Sequence, residues 1–329
     1  MAKTVVFLGM GGTIAGRSAD RTDNVGYQSA QLGVAELLAG IPGLRAALSG
    51  VQLESEQVAQ VDSKNMGWSQ WHALYLRAIH HLHRDDVGAL VVTHGTDTLE
   101  ETAFFLSQVL PSHILASKPV VLTCAMRPAS ADFPDGPKNC CDAAVVATAP
   151  DSLGVLVVCA GSVHTARHIQ KVHPYRLDAF SSGEAGAAGY VEEGQVRWAR
   201  PLVLHVKDDT AILQLPTFNW PRVEIVMNTV GVGGALVRAL CAAPAEPDAK
   251  VEGIVVAGTG NGTFNGDMEA ALAVARAQGI RVVITTRCAS GTVVCARGMP
   301  AADPAYVGLS VVKARIALVL ELLGANSVR

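Results

Sequence analysis

The run Thr93-His94-Gly95-Thr96-Asp97-Thr98-Leu99-Glu100-Glu101-Thr102 lies between two segments of different hydrophobic pattern. Before it, residues 89–92 are apolar without a break. After it, Ala103, Phe104, Leu106 and Val109 are among the apolar positions of an amphipathic segment. That order reads strand, tight turn, helix. Thr98 and Glu101 have the spacing of a capping box, which would start the helix there. Thr96 and Asp97 then stand at the carboxyl end of a strand, facing a helix N-terminus, where open α/β sheets bind their ligands. A hydroxyl beside a carboxylate suits a polar substrate that carries an amine.

A second segment repeats this design. Thr4-Val5-Val6-Phe7-Leu8 is a short apolar run with β-branched residues, and it ends in Gly9-Met10-Gly11-Gly12-Thr13-Ile14-Ala15-Gly16. The glycines permit a tight turn and a close approach of backbone to ligand. Thr13 and Thr96 thus come from two strand ends, which in a parallel sheet share one edge.

Strand-like and helical runs alternate outward from these two turns. Helical segments are expected near residues 34–38, over 68–83 with Trp71, Tyr75, Ala78, Ile79 and Leu82 as its stripe, and after Pro137, which suits a first helical turn. Strands are expected at 58–61, 119–124 and 154–159, and a hairpin within 179–200. Alternation resumes with a strand at 223–227, a helix near 232–242, strands at 253–257 and 282–285, a helix over 265–277 and a terminal helix over 311–323. The expected fold is α/β in two domains. A larger N-terminal domain with a mostly parallel sheet spans residues 1–204, 205–221 form a connector, and a smaller C-terminal α/β domain spans 222–329.

Bulk properties narrow the function classes. The 329 residues are half apolar, enough for a substantial aliphatic core, and the net charge of −3 comes from interspersed charges of both signs. No basic block points to nucleic acid, and no apolar run is long enough to span a bilayer. The chain passes from Met1-Ala2-Lys3 straight into a strand, so a cytoplasmic location is expected. Seven cysteines without a C-x-x-C spacing read as reduced thiols rather than a disulfide framework or zinc site. His80, His81 and His83 read as a solvated polar face, and His164 and His168 as polar loop residues. Neither glycine turn fits a dinucleotide fingerprint. Ile14 stands where Gly9-x-Gly11 would need its third glycine, and Thr263 where Gly258-x-Gly260 would.

The motifs together resemble the bacterial-type L-asparaginase (asparaginase/glutaminase) family. The matching residues are Gly11-Gly12-Thr13-Ile14-Ala15-Gly16, the run from His94 to Ala103, Ala125-Met126-Arg127-Pro128 with Asp135-Gly136-Pro137, and Gly154-Val155-Leu156-Val157-Val158 followed by Lys171. Gly258-Thr259-Gly260-Asn261-Gly262 and Lys313-Ala314-Arg315 extend the match over essentially the whole chain. The resemblance implies hydrolysis of L-asparagine to L-aspartate and ammonia, without metal or organic cofactor. It also implies a homotetramer, a dimer of intimate dimers with each site shared between two subunits.

By the same resemblance, Thr13 is the first nucleophile and forms an acyl-enzyme, while Thr96, Asp97 and Lys171 make a second group. The residues alone leave open which threonine attacks. A lysine partly desolvated among polar groups can relay a proton from the Thr96 hydroxyl. Tyr27 matches a mobile-loop tyrosine that contacts the nucleophile, and the loop over residues 16–29 reads as a lid. For the substrate, Asp97 can pair with the α-ammonium, Ser63 matches a contact to the α-carboxylate, and Lys64 can attract that carboxylate with Asp62 as its balance. Backbone N–H groups at Thr13, Thr96 or Ala125 would add donors.

The chain departs from the family's secreted pattern in several places. Met10 stands where a threonine is common, Asp62 and Lys64 flank Ser63 in place of Gly and Gln, and Thr263 replaces an Asn. No Glu follows residues 287–291, where a partner subunit usually contributes one. The expected preference is asparagine over glutamine. A glutaminase-asparaginase of mixed specificity and a non-catalytic amino-acid sensor are the alternatives.

Overall fold

The computed structural model describes residues 3–204, 219–242, 250–295, 303 and 305–327. The chain forms two compact units, Met1–Ile212 and Leu213–Arg329. Most of the expected connector, residues 205–218, lies outside the described residues.

In the first unit, strands and helices alternate as β1 (Thr4–Gly11), α1 (Val34–Ala39), α2 (Leu44–Ala47), β2 (Gln52–Val61), α3 (Trp68–Leu82), β3 (Val87–Thr93), α4 (Leu99–Val109), α5 (Ser112–Leu115), β4 (Val120–Thr123), α6 (Gly136–Thr148) and β5 (Val155–Cys159). Five shorter strands follow: β6 (Ser162–Thr165), β7 (Gln170–Lys171), β8 (Phe180–Ser181), β9 (Gly189–Glu192) and β10 (Gln195–Trp198). The main sheet has the order β10-β9-β6-β5-β4-β3-β1-β2. Strands β2, β1, β3, β4 and β5 run parallel, and β6, β9 and β10 add an antiparallel flank.

Helices cover both faces of the parallel part. Val5, Phe7, Ala89, Val91, Val121, Leu156 and Val158 cluster with residues of α1, α2 and α6. On other sides α3 packs against β1, β2 and β3, and α4 against β5. Strands buried on both faces need no polar alternation, which is why residues 89–92 and 155–158 are apolar throughout. Each large apolar side chain buried this way contributes about 1.5–3 kcal/mol.

The chain order decides where a ligand can sit. From β1 the chain steps outward to β2 and then crosses back to β3 on the other side. Such a switch opens a crevice between the carboxyl ends of β1 and β3. The register aligns those ends: Gly9 lies beside Thr93, Thr93 beside Thr123, and Gly11 beside Val61.

Several expectations are corrected. The strand expected at 58–61 is the end of the ten-residue β2, whose first half carries Gln52, Glu54 and Glu56. This edge strand tolerates these because its faces are incompletely covered, with none of its residues buried, and here Glu54 pairs with Arg84 and Glu56 with Arg77. His81 is not on a solvated face but buried, bonded to Glu56 at 2.7 Å. His164 is not a loop residue but a buried member of β6, bonded through Nδ1 to Ser182 Oγ at 2.8 Å. Strand β6 exists because Ala160 and Gly161, both at positive φ, turn the chain tightly back against β5. Helix α4 starts at Leu99 as the spacing predicts, but not through a capping box. The Thr98 hydroxyl makes no cap and instead donates to the Ser63 carbonyl at 2.9 Å.

The second unit is a parallel sheet of β11 (Arg222–Met227), β12 (Val251–Gly258) and β13 (Arg281–Thr286) in that order, with α7 (Ala235–Cys241), α8 (Gly266–Ala277) and α9 (Val311–Ser327). Asn265 caps α8 by accepting the Met268 N–H at 2.9 Å. Met268, Ala271, Leu272 and Ala275 bury that helix against Ile254, Val256 and Val282. Among the described residues, no helix is long and apolar enough to cross a membrane.

Candidate active site

Two glycine turns press against each other at the β1–β3 crevice. Strand β1 ends at Gly11 and Gly12, with φ of 92° and 85°, and a short 3-10 turn then carries Thr13, Ile14 and Ala15. After β3 the chain passes His94 and Gly95 to Thr96. A Cβ added at Gly12 would lie 2.3 Å from the Gly95 Cα and 2.4 Å from the Gly95 N. The backbone residue before each threonine therefore touches the other, and both threonines are almost fully buried.

Thr13 Oγ1 lies 2.6 Å from the Tyr27 hydroxyl. Tyr27 sits on the loop over residues 16–29, which closes by paired backbone bonds between Arg17 and Gln28. The loop is also tied down at a distance. Ser18 N–H donates to Ser130 Oγ at 2.7 Å, and Arg21 pairs with the exposed Asp132.

Thr96 has a different partner. Lys171 Nζ, from β7, donates to Thr96 Oγ1 at 2.8 Å and to Asp97 Oδ1 at 2.6 Å. The lysine side chain is 16% exposed and the Asp97 side chain 53%. Strand β7 is held by its pairing with β8 and by the bond from Lys171 N–H to Glu100 Oε1. Asp97 is thus engaged by an ammonium of the protein itself.

Ser63, Asp62 and Lys64 form the turn after β2. Ser63 is buried, and its Oγ accepts the Asp97 N–H at 3.2 Å, which leaves its own proton available to donate. Asp62 accepts the Lys64 N–H and pairs with Lys64 Nζ at 3.2 Å, with the lysine side chain 66% exposed.

Ala125 follows β4 and is buried. Its loop is held by two residues to which the sequence reading gave no role. Asp135 accepts the Met126 and Arg127 N–H groups at 2.9 and 3.0 Å. Asn139 donates to the Cys124 carbonyl and accepts from Ala160 N–H. Burial pushes the Asp135 carboxyl above its usual pKa, against the opposite pull of its backbone donors. Gly136 then lets α6 begin against Ile14 and Ala125, joining this loop to the Thr13 turn. The Asp135-Gly136 pair was visible in the motif, but the contact is not legible without coordinates.

His94, inside the central motif, is completely buried, and desolvation lowers its pKa to about 4. Its ring bonds the Gly95 carbonyl and the Thr102 hydroxyl. Among the described residues no three His, Cys, Asp or Glu side chains gather as a metal would require. A cavity of about 370 Å³ along β13 in the second unit holds none of these site residues.

The family comparisons agree with this geometry. Residues 4–204 match the model described as "Asparaginase, N-terminal", and residues 222–327 match "Glutaminase/Asparaginase C-terminal domain". The chain is 35% identical to L-asparaginase 2 of Bacillus subtilis over 97% of its own length and 82% of that protein. It is 34% identical to a glutaminase-asparaginase of Pseudomonas fluorescens over 87% of its length and 76% of that protein. A crystal structure titled as a probable cytoplasmic L-asparaginase from Campylobacter jejuni matches with a TM-score of 0.84 and 30% identity, over 97% of this chain and 95% of that one. Whole-chain similarity, two domain matches in sequence order and a paired-threonine site at the sheet switch point lead to one assignment: the chain belongs to the asparaginase family.

Proposed function

We propose that this protein hydrolyses L-asparagine to L-aspartate and ammonia, with Thr13 as the nucleophile. The carrying observation is the division of partners between the two threonines, a phenol on Thr13 and an ammonium on Thr96. Amide hydrolysis needs a hydroxyl that loses a proton, a group that takes it, and donors where oxyanion charge develops. Tyr27 receives the Thr13 proton while passing its own to the leaving nitrogen, so the hydroxyl oxygen bonds to the carboxamide carbon as the C–N bond breaks and ammonia leaves. Water then attacks the acyl carbon beside Thr96 and Lys171, the acyl–oxygen bond to Thr13 breaks, and the water's proton ends on Thr13 Oγ1 as aspartate leaves. The Thr13 and Thr96 N–H groups have no acceptor among the described residues and are free to face the oxyanion.

Substrate recognition follows from charge. Asp97 receives the α-ammonium, and the Ser63 hydroxyl donates to the α-carboxylate, with exposed Lys64 attracting it and Asp62 as the balance. Ala125 and its loop border the carboxamide. The ammonium of the substrate competes with Lys171 for Asp97, so binding loosens that ion pair. In this reading residues 1–204 carry the chemistry, 205–221 connect, and 222–329 form the second domain.

The same proposal includes a cytoplasmic homotetramer. Seven unpaired thiols fit a reducing compartment. Val172, Tyr175 and Leu177, exposed just past Lys171, give an apolar surface for a second copy beside the site. Relatives named for both amides support a mixed glutaminase-asparaginase activity as the second reading.

Ammonia release from asparagine, glutamine, D-asparagine and β-aspartyl peptides tests the proposal. Asparagine is expected to have the highest kcat/KM, and Thr13→Ala and Thr96→Val are each expected to nearly abolish turnover. Equal kcat/KM for glutamine establishes the mixed enzyme instead. No turnover of any amide, with aspartate still bound, makes the protein a sensor.

A further inference from the structure

The buried polar groups behind Thr96 form a chain whose direction is fixed by chemistry. Trp71 Nε1–H, on α3, donates to Thr102 Oγ1 on α4 at 2.9 Å. Thr102 Oγ1 lies 3.0 Å from His94 Nε2, and His94 Nδ1 lies 2.8 Å from the Gly95 carbonyl. A carbonyl only accepts, so His94 Nδ1 carries the proton. Complete burial keeps the imidazole neutral, so Nε2 accepts and the Thr102 hydroxyl donates to it. The indole N–H only donates, and Thr102 has a lone pair to receive it. Every donor and acceptor is matched in one way only.

His94 and Thr102 are fully buried and Trp71 nearly so, with its ring stacked on Phe105 at 4.5 Å. No water competes for these bonds, and a buried network of this kind loses most when one member is removed.

We propose that Trp71 and Thr102, acting through His94, are positioning residues for the threonine site. They hold the Gly95 carbonyl toward the buried imidazole. The peptide unit is planar and trans, so its N–H points the opposite way. That N–H belongs to Thr96 and is unpaired among the described residues. The relay therefore aims a backbone donor and the Thr96 side chain together, while the Gly95 Cα stays seated on Gly12. None of the three side chains touches the reacting atoms in this scheme. The inference rests on the hydrolase reading above.

Thr102→Val keeps the shape and removes the hydroxyl. It is expected to lower kcat by about tenfold to a hundredfold, as for a misaimed oxyanion donor, with KM for asparagine within about threefold. Thr102→Ser restores the hydroxyl and is expected to restore kcat. Unchanged kcat in Thr102→Val, or no rescue by serine, overturns the proposal. A second measurement needs no substituted protein and no turnover. With ¹⁵N-labelled histidine, the His94 ring is expected to appear neutral with its proton on Nδ1 at pH 7. A proton on Nε2 overturns the relay whether or not asparagine is hydrolysed. Absence of turnover in the unsubstituted protein, with the Nδ1 proton present, refutes the hydrolase reading and supports the relay geometry.

Discussion

Gly12→Ala probes the contact that brings the two threonine turns together. The added Cβ would stand 2.3 Å from the Gly95 Cα, where ordinary contact begins at 3.4 Å. Both crowded atoms are backbone, so no side chain can swing aside, and the turns must part by about 1 Å. A displacement of about 1 Å in a catalytic constellation costs about a hundredfold in rate, or about 3 kcal/mol of barrier. Overpacking adds about 1–3 kcal/mol of instability, and φ 85° with ψ −171°, a region open essentially only to glycine, adds about 1–3 kcal/mol more. Gly186→Ala is the control, since Gly186 has φ 66° and ψ 172°, the same region as Gly12, and nothing within 4 Å of an added Cβ. It carries the backbone strain alone and is expected to lose about 1–3 kcal/mol with normal turnover. The assay pairs ammonia release with urea denaturation for both variants. A folded Gly12→Ala protein with kcat within about threefold of the parent would refute the claim that this contact sets the catalytic geometry.

Other perturbations test separate parts of the site. Tyr27→Phe removes the hydroxyl partner of Thr13 and is expected to lower kcat by about 10²–10⁴, the range for a general acid or base, with a smaller change in KM. Steady-state kinetics decide, and an unchanged kcat removes Tyr27 from proton transfer. Lys171→Met is expected to cost far more in kcat than in aspartate affinity measured by calorimetry; equal losses would make it a binding residue. His164 is held neutral by burial, with its pKa lowered from 6.5 to about 4. Below pH 6.5 the unfolded chain binds a proton that the folded chain refuses, so stability falls as pH drops from 6.5 toward 4, by about 3 kcal/mol for this group. His94, fully buried with its pKa lowered to about 4, adds to the same slope, so His164→Gln should remove about half of it in a urea-midpoint-against-pH curve, and an unaltered slope would show that His164 contributes nothing to it.

Much of the architecture was legible because strands covered on both faces must be apolar throughout. Residues 5–8, 89–92 and 155–158 announce themselves that way. Polar-rich segments were harder. The first half of β2 escaped because Glu54 and Glu56 depend on partners in α3 and just beyond it, at Arg77, His81 and Arg84, which are remote in sequence. His164 looked like a loop residue because the turn that makes β6 uses Ala160, a residue without a turn signature. The Thr98–Glu101 spacing was read locally as a cap, whereas a carbonyl from another turn took the Thr98 hydroxyl.

By itself the sequence determined the alternation of elements, the two glycine turns after apolar strands, and the residue types able to attack an amide. These are local properties, set by hydrophobic period and by the backbone freedom of glycine. Only the tertiary structure decided the partners: Tyr27 on Thr13, Lys171 shared by Thr96 and Asp97, and Trp71 and Thr102 behind His94. Those pairings join residues on separate elements, up to 75 positions apart. They exist because the sheet order sets β1 beside β3 and aligns their carboxyl ends, a long-range outcome that no short window of residues encodes.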